Sequence, residues 1–172
     1  VNVAEKGSIN LDIVASGEGG HSSMPPPKTA VTDLARAITK LEENPLPGGL
    51  EGLGAETFDT ISRYMPFIPK VLFANQWLFS GLINRQLSTA PTTNAMLRTT
   101  TAPTMLSGSV KTNVLPIEAI ASVNFRIHPR DSMDSIEHYV TSLVASDTIS
   151  VHRRGGSDAS PVSDWKAPGF AV

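Results

Sequence analysis

The sequence contains no cysteine in its 172 residues. This absence excludes disulfide bonds, zinc–thiolate sites and a cysteine nucleophile, and it leaves the cellular compartment open. An excess of one charge is also lacking, because 14 basic residues stand against 16 acidic ones and the net charge is −2. The densest basic cluster in the sequence is Arg153-Arg154, so we expect no nucleic-acid partner.

Long apolar runs are absent as well. The most apolar stretch, residues 71–83, is interrupted by Asn75 and Gln76 and flanked by Lys70 and Arg85. It falls short of a membrane-spanning helix, and the sequence leads us to expect no membrane partner. The chain starts without an initiator Met or a charged-then-apolar leader, which is typical of an internal piece of a longer protein.

The residues that are present form two periodic patterns. Residues 8–16 alternate between apolar and polar side chains, which predicts a half-buried strand. Residues 28–44 place apolar side chains at helical spacing and stop just before Pro45, which predicts a helix of about four turns. The predicted buried stripe of this helix consists of Val31, Leu34, Ala35, Ile38 and Leu41.

The same patterns return near residue 100. Residues 102–110 predict a short strand, and residues 117–129 predict a longer one with a single apolar face. Residues 131–146 predict a second amphipathic helix with Ser132 as its N-cap, and residues 148–153 predict a last strand. The order predicts an α+β ferredoxin-like sandwich, with a four-stranded antiparallel sheet and two helices on one face.

Residues 45–100 follow neither pattern. They contain five prolines, a glycine-rich start and most of the aromatic side chains. We interpret them as an inserted, aromatic-rich and partly helical segment within a domain that spans residues 1–154. Residues 155–172 show no periodicity and are predicted to be a linker.

The histidines do not form a metal site in the sequence. None of the four is part of a His-x-Asp pattern or of a spacing that would place three ligands on one metal. We therefore predict no metal ligands in this chain. A serine nucleophile is poorly supported, because Ser22 and Ser23 lack a G-x-S-x-G elbow.

The stretch GEGGHSSMPPP, residues 17–27, lies between the first strand and the first helix. Gly19 and Gly20 permit a tight or positive-φ backbone, while the prolines at 25–27 stiffen the exit. The imidazole of His21 would then lie on a braced loop, which suits a positioned catalytic group. The alternative is a loop histidine that caps the following helix or hydrogen-bonds its neighbours.

Two further polar residues complete the candidate set. Arg126 lies on the polar face of the long strand, where pairing with Asp12 across the sheet is the alternative, and Asn113 is either a ligand-binding carboxamide or a turn former. Together with His21, these side chains are donors that suit one anionic ligand, because Arg grips a carboxylate while Asn and His stabilise a carbonyl oxygen that gains negative charge. None is a strong nucleophile. The set therefore suits substrate binding and oxyanion stabilisation, while other residues outside the set would carry out the reaction.

Three stretches carry a family resemblance: EKGSINLDIVASGEGGHSSMPP, SGSVKTNVLPIEAIASVNFRIHP and SIEHYV. They resemble the dimerisation (lid) domain of the zinc metallopeptidase family that includes aminoacylase, carboxypeptidase S, Gly-X carboxypeptidase and succinyl-diaminopimelate desuccinylase. The carboxypeptidase S branch is the most similar. The resemblance covers about residues 4–154, with 45–100 matching only loosely.

The resemblance implies that 1–154 is a dimerisation and lid domain attached to a separate catalytic domain, toward which 155–172 leads. That domain would hold two zinc ions and a Glu general base, so that metal-activated water attacks the amide of a peptide or an N-acyl amino acid. The present chain would hold no cofactor and would be inactive alone.

The resemblance also implies a homodimer. His21 matches the family histidine that reaches into the partner's active site and stabilises the carbonyl oxygen. Asn113 and Arg126 match residues that contact the substrate carbonyl and the terminal carboxylate. Because open sheets leave edges that can pair, we expect the first helix and its neighbouring edge strand to form the dimer contact.

Two alternatives stay open at this point. One is a non-enzymatic ferredoxin-like module in which Arg126 and Asn113 hold a small carboxylate ligand. The other is a dimerising interaction domain that binds no ligand.

Overall fold

A computed structural model describes residues 4–164 together with residues 167 and 168. The chain forms two compact units, one from the residues up to Pro45 and from Thr100 onward, the other from residues 46–99. The second unit covers nearly the same residues as the insertion that the sequence predicts at 45–100. No helix within the described ranges is long and apolar enough to cross a bilayer.

The elements follow one another along the chain as strands, helices and short connections. They are β1 (Gly7–Ser16), β2 (Gly20–His21), α1 (Ala30–Glu43), α2 (Gly52–Ser62), α3 (Phe67–Ala74), α4 (Gln76–Leu87), α5 (Pro91–Leu97), β3 (Thr100–Ser107), β4 (Val114–Leu115), β5 (Glu118–Ile127), α6 (Met133–Val144) and β6 (Ile149–Ser157).

Four strands of the first unit form an antiparallel sheet in the order β3, β5, β1, β6. When the two-residue strands β2 and β4 are set aside, the chain order in this unit is strand, helix, strand, strand, helix, strand. The first and third of these strands occupy the centre of the sheet, and α1 and α6 pack against one face. The predicted α+β ferredoxin-like sandwich is confirmed.

The core lies between this face and the two helices. Every second side chain of β1 and β5 is buried there, as the alternation predicts. These residues are Ile9, Leu11, Ile13, Ala15, Ala119, Ala121, Val123, Phe125 and Ile127. Because a strand has period 2, the remaining side chains of both strands lie on the opposite, open face of the sheet.

Both helices of this unit begin with a side-chain cap. Thr29 precedes α1 and its hydroxyl accepts the backbone N–H of Thr32, while Ser132 precedes α6 and accepts the backbone N–H of Ser135, each at 3.2 Å. Each cap satisfies a backbone donor that the first turn of a helix leaves without a partner. The predicted N-cap at Ser132 is confirmed.

The predicted buried stripe of α1 is only partly right. Leu34 and Leu41 are buried, but Val31 and Ala35 are exposed, and the small side chains of Ala30 and Ala37 take their place against the core. The apolar residues of this helix therefore form two adjacent stripes. One faces the sheet, and the second, containing Val31 and Ala35, faces outward.

The last strand is longer than the sequence predicts. β6 extends to Ser157, so its last three residues fall within the predicted linker, which was expected to start at residue 155. The alternation is lost because a bulge leaves Arg154 out of the pairing with β1, and Gly155 and Gly156 continue the strand with φ of 141° and 156°. These conformations favour glycine.

The residues after β6 remain attached to the unit. Asp158 Oδ1 accepts the backbone N–H of Met133 at 2.7 Å. Ser160 donates its backbone N–H to the carbonyl of Glu5 at 3.0 Å, and its hydroxyl accepts the N–H of Glu5 at 2.7 Å. The final part of the predicted linker, residues 165, 166 and 169–172, lies outside the described residues.

The second unit is helical, with α2 to α5 around a small apolar core. Phe58 and Phe73 stack with ring centroids 5.1 Å apart. Ile83 and Leu97 are buried in the same unit. Stacked aromatic pairs stabilise a fold by more than their buried area alone would. This pair therefore contributes to the stability of the small core of the second unit.

Candidate functional site

His21 lies in a short two-stranded ladder that the sequence did not predict. β2 pairs with β4, so that His21 is opposite Val114 and Gly20 is opposite Leu115. The backbone N–H of Ser22 donates to the carbonyl of Asn113 at 3.1 Å and extends this ladder. The loop that carries His21 and the turn that carries Asn113 are therefore held together by backbone hydrogen bonds.

The His21 ring is exposed, and its own loop fixes its orientation. The backbone N–H of Ser23 donates to Nδ1 at 3.2 Å, and the Ser23 hydroxyl lies 2.9 Å from the same nitrogen. Because Nδ1 accepts the N–H, the proton of the neutral ring is on Nε2. The Nε2 donor has no hydrogen-bond partner within the described residues, and the contacts of Nδ1 with Ser23 are those expected of the alternative in which His21 bonds its neighbours.

Two of the glycines before His21, Gly17 and Gly19, serve close packing rather than an unusual φ. Neither Gly19 nor Gly20 has a positive φ. A Cβ at Gly19 would lie 2.8 Å from Ile117 Cγ2, and one at Gly17 would lie 2.7 Å from the Ala30 nitrogen. The loop is thus pressed against the start of α1 and the segment between β4 and β5, which braces it.

Asn113 lies in a turn, as expected if it is a turn former. The backbone N–H of Val114 donates to the carbonyl of Lys111 at 3.4 Å, which closes the turn around Asn113. The Asn113 side chain is exposed and forms no hydrogen bond within the described residues. A turn residue whose carboxamide is still available can also bind a ligand.

Arg126 lies at the opposite end of the same sheet. It is opposite Ser8 on β1 and Thr100 on β3, eight residues beyond Glu118, where β5 begins. At about 3.3 Å per residue, roughly 25 Å of strand separate Arg126 from the end that adjoins His21. One chain therefore does not bring His21, Asn113 and Arg126 to one small ligand, contrary to the simplest interpretation of the sequence.

Charged groups of both signs lie near Arg126. Burial lowers the pKa of the nearby Lys6 ammonium, the positive charge of Arg126 lowers it further, and Asp131 and Arg130 act in opposite directions with smaller effects. No motif in the sequence points to Lys6. Its position one residue before β1, opposite the end of β5, was the available signal.

The suggested pairing of Arg126 with Asp12 is wrong. Asp12 Oδ2 accepts a hydrogen bond from Arg154 Nε at 2.6 Å, and Asp12 Oδ1 accepts one from the Ser122 hydroxyl at 2.7 Å. Asp12 is opposite Ser122 on β5, four positions from Arg126. The bulge in β6 turns Arg154 toward the open face, and a bulge leaves no periodic signal in the sequence.

The outer side of α1 and the edge strand β3 carry exposed apolar side chains. Val31 and Ala35 form the outward stripe of the helix, and Leu106 is exposed although its partner Ala121 is buried on the helix-covered face. A Cβ at Gly108 would lie 3.5 Å from Val31 Cγ2, so the helix stripe adjoins the end of β3. Apolar surface beside a free sheet edge is typical of an interaction site.

Among residues 4–164, no group of three or more His, Asp or Glu side chains is placed to hold a metal ion. The residues described here therefore do not fit a zinc site of their own.

The chain belongs to the peptidase dimerisation domain family, because the model of that family matches residues 3–151. It is thus a dimerisation domain of the M20 metallopeptidases and amidohydrolases, and the predicted family is confirmed.

Its relatives include enzymes from several organisms. The chain is 38% identical over 165 residues to N-fatty-acyl-amino acid synthase/hydrolase PM20D1 of Xenopus tropicalis, covering 95% of this chain and 32% of the relative. It is 38% identical over 174 residues to the probable carboxypeptidase S-like 2 of Dictyostelium discoideum, covering 99% and 33%. The chain spans about a third of the length of these curated relatives.

Two solved structures share the fold. Human carnosine dipeptidase 1 aligns with a TM-score of 0.60 at 13% identity, over 98% of this chain and 40% of that one. The M20 family metallo-carboxypeptidase Sso-CP2 from Sulfolobus solfataricus aligns with a TM-score of 0.55 at 17% identity, over 87% and 43%.

Proposed function

We propose that this chain is the dimerisation and substrate-gripping lid of a zinc-dependent carboxypeptidase or N-acyl amino acid amidohydrolase. The names of its relatives support this, because they include carboxypeptidase S-like proteins and N-fatty-acyl-amino acid synthase/hydrolases. In the proposal, the zinc ions belong to a catalytic domain outside this sequence, where they activate water for attack on an amide. The chain itself contributes binding and charge stabilisation.

His21 is the proposed oxyanion donor. The carbonyl oxygen of an amide gains negative charge when water attacks it, and a donor already aimed at that oxygen stabilises the transition state. The contacts of Ser23 with Nδ1 support this role, because they occupy Nδ1 and leave the Nε2 proton to act as the donor. Loss of one such donor lowers turnover by about 100- to 1,000-fold in enzymes of comparable design.

Arg126 is the proposed clamp for the terminal carboxylate, and Asn113 is a second donor to the substrate carbonyl. A guanidinium binds a carboxylate through two parallel N–H donors. Arg126 is exposed near the end of β5, which leaves its guanidinium accessible to a carboxylate and supports this assignment.

The separation of His21 from Arg126 carries the proposal that two chains share each site. β3 runs from the Arg126 end, where Thr100 is opposite it, to the other end of the sheet, where Ser107 pairs with Ile120. If two β3 edges meet antiparallel across a two-fold axis, the His21 end of one chain lies near the Arg126 end of its partner.

The apolar side chains near this edge would supply much of the contact. Pro103 lacks an N–H and a bulge follows it, so backbone pairing along the middle of β3 is limited. Burial of Val31 and Leu106 would then carry more of the interface than backbone hydrogen bonds.

Mixed dimers of the full-length enzyme test this arrangement. His21→Ala and Arg126→Ala chains are each expected to form weakly active homodimers. Co-folded together, they form mixed dimers in which one site keeps both residues and the other loses both. We expect these mixed dimers to recover about half of the wild-type turnover, because that one site is intact.

Two controls sharpen the test. The same two variants mixed after folding, without subunit exchange, should show no recovery. A chain carrying both substitutions, co-folded with the His21→Ala chain, should also stay weakly active. If co-folded His21→Ala and Arg126→Ala chains are no more active than the separate variants, the two residues do not serve one site across a dimer.

A further inference from the structure

The second unit exposes large apolar side chains on two consecutive helices. We call the outward sides of α3 and α4 the aromatic face. It consists of Phe67, Ile68, Val71, Trp77, Leu78 and Leu82. Trp77 is 81% exposed. Large apolar side chains grouped on a surface mark interaction sites.

The aromatic face is distinct from the core of its unit. On α3, Phe73 is buried and stacks on Phe58, while Phe67 and Val71 lie on the other side of the helix. On α4, Ile83 is buried, and Trp77 is directed away from it by the helical repeat. Each helix therefore has one apolar side buried in the core of its unit and a second apolar side that is exposed.

The two helices that carry this face contain only positive charges. Glu51, Glu56 and Asp59 lie earlier in the unit, and Glu51 lines the same pocket as Trp77. Within α3 and α4 the charged residues are Lys70 and Arg85. Neither forms an ion pair in the part of the chain that the structure describes, so their charges are available to an anionic partner.

We propose that the aromatic face docks on an anionic phospholipid surface. Short helices with aromatic and aliphatic side chains on one side and Lys or Arg beside them lie in the membrane interface, with their apolar sides among the headgroups. Charge complementarity favours this occupant over a second copy of the chain, because two cationic faces repel each other while headgroup phosphates attract them.

This inference reverses the expectation of no membrane partner that the sequence analysis reached. That expectation considered a spanning helix, which requires about 20 apolar residues, and α4 has 12 residues in all. Docking in the interface requires only an exposed face and adjacent positive charge. The inference does not depend on the catalytic roles proposed for the first unit.

Vesicle co-sedimentation of the 172-residue chain tests the proposal. The probes are vesicles of phosphatidylcholine alone and vesicles of phosphatidylcholine and phosphatidylserine in equal parts. We expect binding to the mixed vesicles that weakens as salt rises, because salt screens the attraction between the lysine and arginine charges and the headgroups. In a Trp165→Phe background, the emission of Trp77 should shift to shorter wavelength on binding, and a brominated lipid should quench it.

Two variants separate the contributions. Trp77→Ser with Leu78→Ser should weaken vesicle binding by on the order of 100-fold, because two apolar side chains no longer leave water. Lys70→Gln with Arg85→Gln should weaken it by about 30-fold on the anionic vesicles only. The matched control is Met24→Ser, which changes an apolar side chain of the first unit that is 82% exposed, close to the 81% of Trp77, and should leave binding unchanged.

Other results would contradict docking on a phospholipid surface. No binding to the mixed vesicles, or binding that both double variants leave intact, overturns the proposal. If the chain instead self-associates and Trp77→Ser with Leu78→Ser abolishes that association without any vesicle binding, the occupant is a second copy. A circular dichroism spectrum of each variant that matches the wild-type spectrum establishes that the second unit is still helical.

Discussion

Replacing Asp12 with asparagine removes a charge from the open face of the sheet while keeping the shape of the side chain. Asp12 is only 5% exposed, and its two oxygens accept hydrogen bonds from Ser122 and Arg154. A hydrogen bond to a charged group contributes about 1.5–3 kcal/mol. The share of Arg154 is smaller, because its guanidinium is largely exposed and water screens the pair.

We therefore expect Asp12→Asn to lower the free energy of unfolding of the first unit by about 2 kcal/mol at neutral pH. For a chain of this length, such a loss corresponds to a decrease in Tm of about 4–8 °C.

The loss should depend on pH in a defined direction. Burial by itself would raise the pKa of Asp12, but the hydrogen bonds from Ser122 and Arg154 and the positive charge of Arg154 outweigh it, so that the pKa is lowered. A carboxyl with a lowered folded-state pKa stabilises the fold fully above its ordinary value of about 3.9. The stabilisation is lost as the pH falls through the folded-state pKa, so wild type and Asp12→Asn should converge in acid.

Hydrogen exchange of the β1 amides is the suitable assay, because β1 lies in the first unit and its amides report on local opening there. Protection of these amides should decrease in Asp12→Asn at neutral pH, and the difference should shrink below about pH 4. The matched control is Asp134→Asn. Asp134 pairs with Arg153 at 2.6 Å, the same distance as Asp12 with Arg154, but its side chain is 87% exposed.

Asp134→Asn should leave β1 protection unchanged, since exposed pairs of this kind contribute little. Equal losses in the two variants would refute the argument that burial decides the strength of the Asp12 pair. A difference between wild type and Asp12→Asn that persists unchanged into strong acid would refute the assignment of the effect to the carboxylate charge.

Three further predictions concern other parts of the chain. Val31→Glu should shift the sedimentation equilibrium toward monomer, whereas Val162→Glu, at 45% exposure against 47%, should not; equal behaviour would exclude the outward stripe of α1 from the interface. Gly156→Ala should destabilise the first unit in urea titrations far more than Gly155→Ala, because both have positive φ but only the former Cβ would overlap the β1 backbone. Arg126→Ala should raise KM in the full-length enzyme for substrates with a free carboxylate, and equal losses on an esterified analogue would contradict carboxylate recognition.

The sheet and its two helices could be predicted because their signals are local. Alternation in β1 and β5 reflects one buried face, and the serine before α6 satisfies a donor in its first turn. The orientation of α1 was predicted less accurately. Its apolar residues cover two stripes, and only packing decides that Ala30 and Ala37, rather than Val31 and Ala35, face the sheet.

The candidate site shows the same division between local and distant information. The braced loop of His21 was predicted from its glycines and prolines, but the reason for the glycines is contact with distant residues, which a sequence does not display. The two-residue pairing of β2 with β4 is too short to produce a period. The distance between His21 and Arg126 depends on how β5 runs through the sheet, so it became available only from the strand register.

The paired hydrogen bonds between Glu5 and Ser160 have a mechanical consequence. Any polypeptide that continues past both residues would leave this unit at one corner, through two segments held together by hydrogen bonds. Two attachments at one corner would permit bending about that corner and would resist twisting. A movement of that kind would carry the whole sheet, with His21 at one end and Arg126 at the other, without altering the spacing between them.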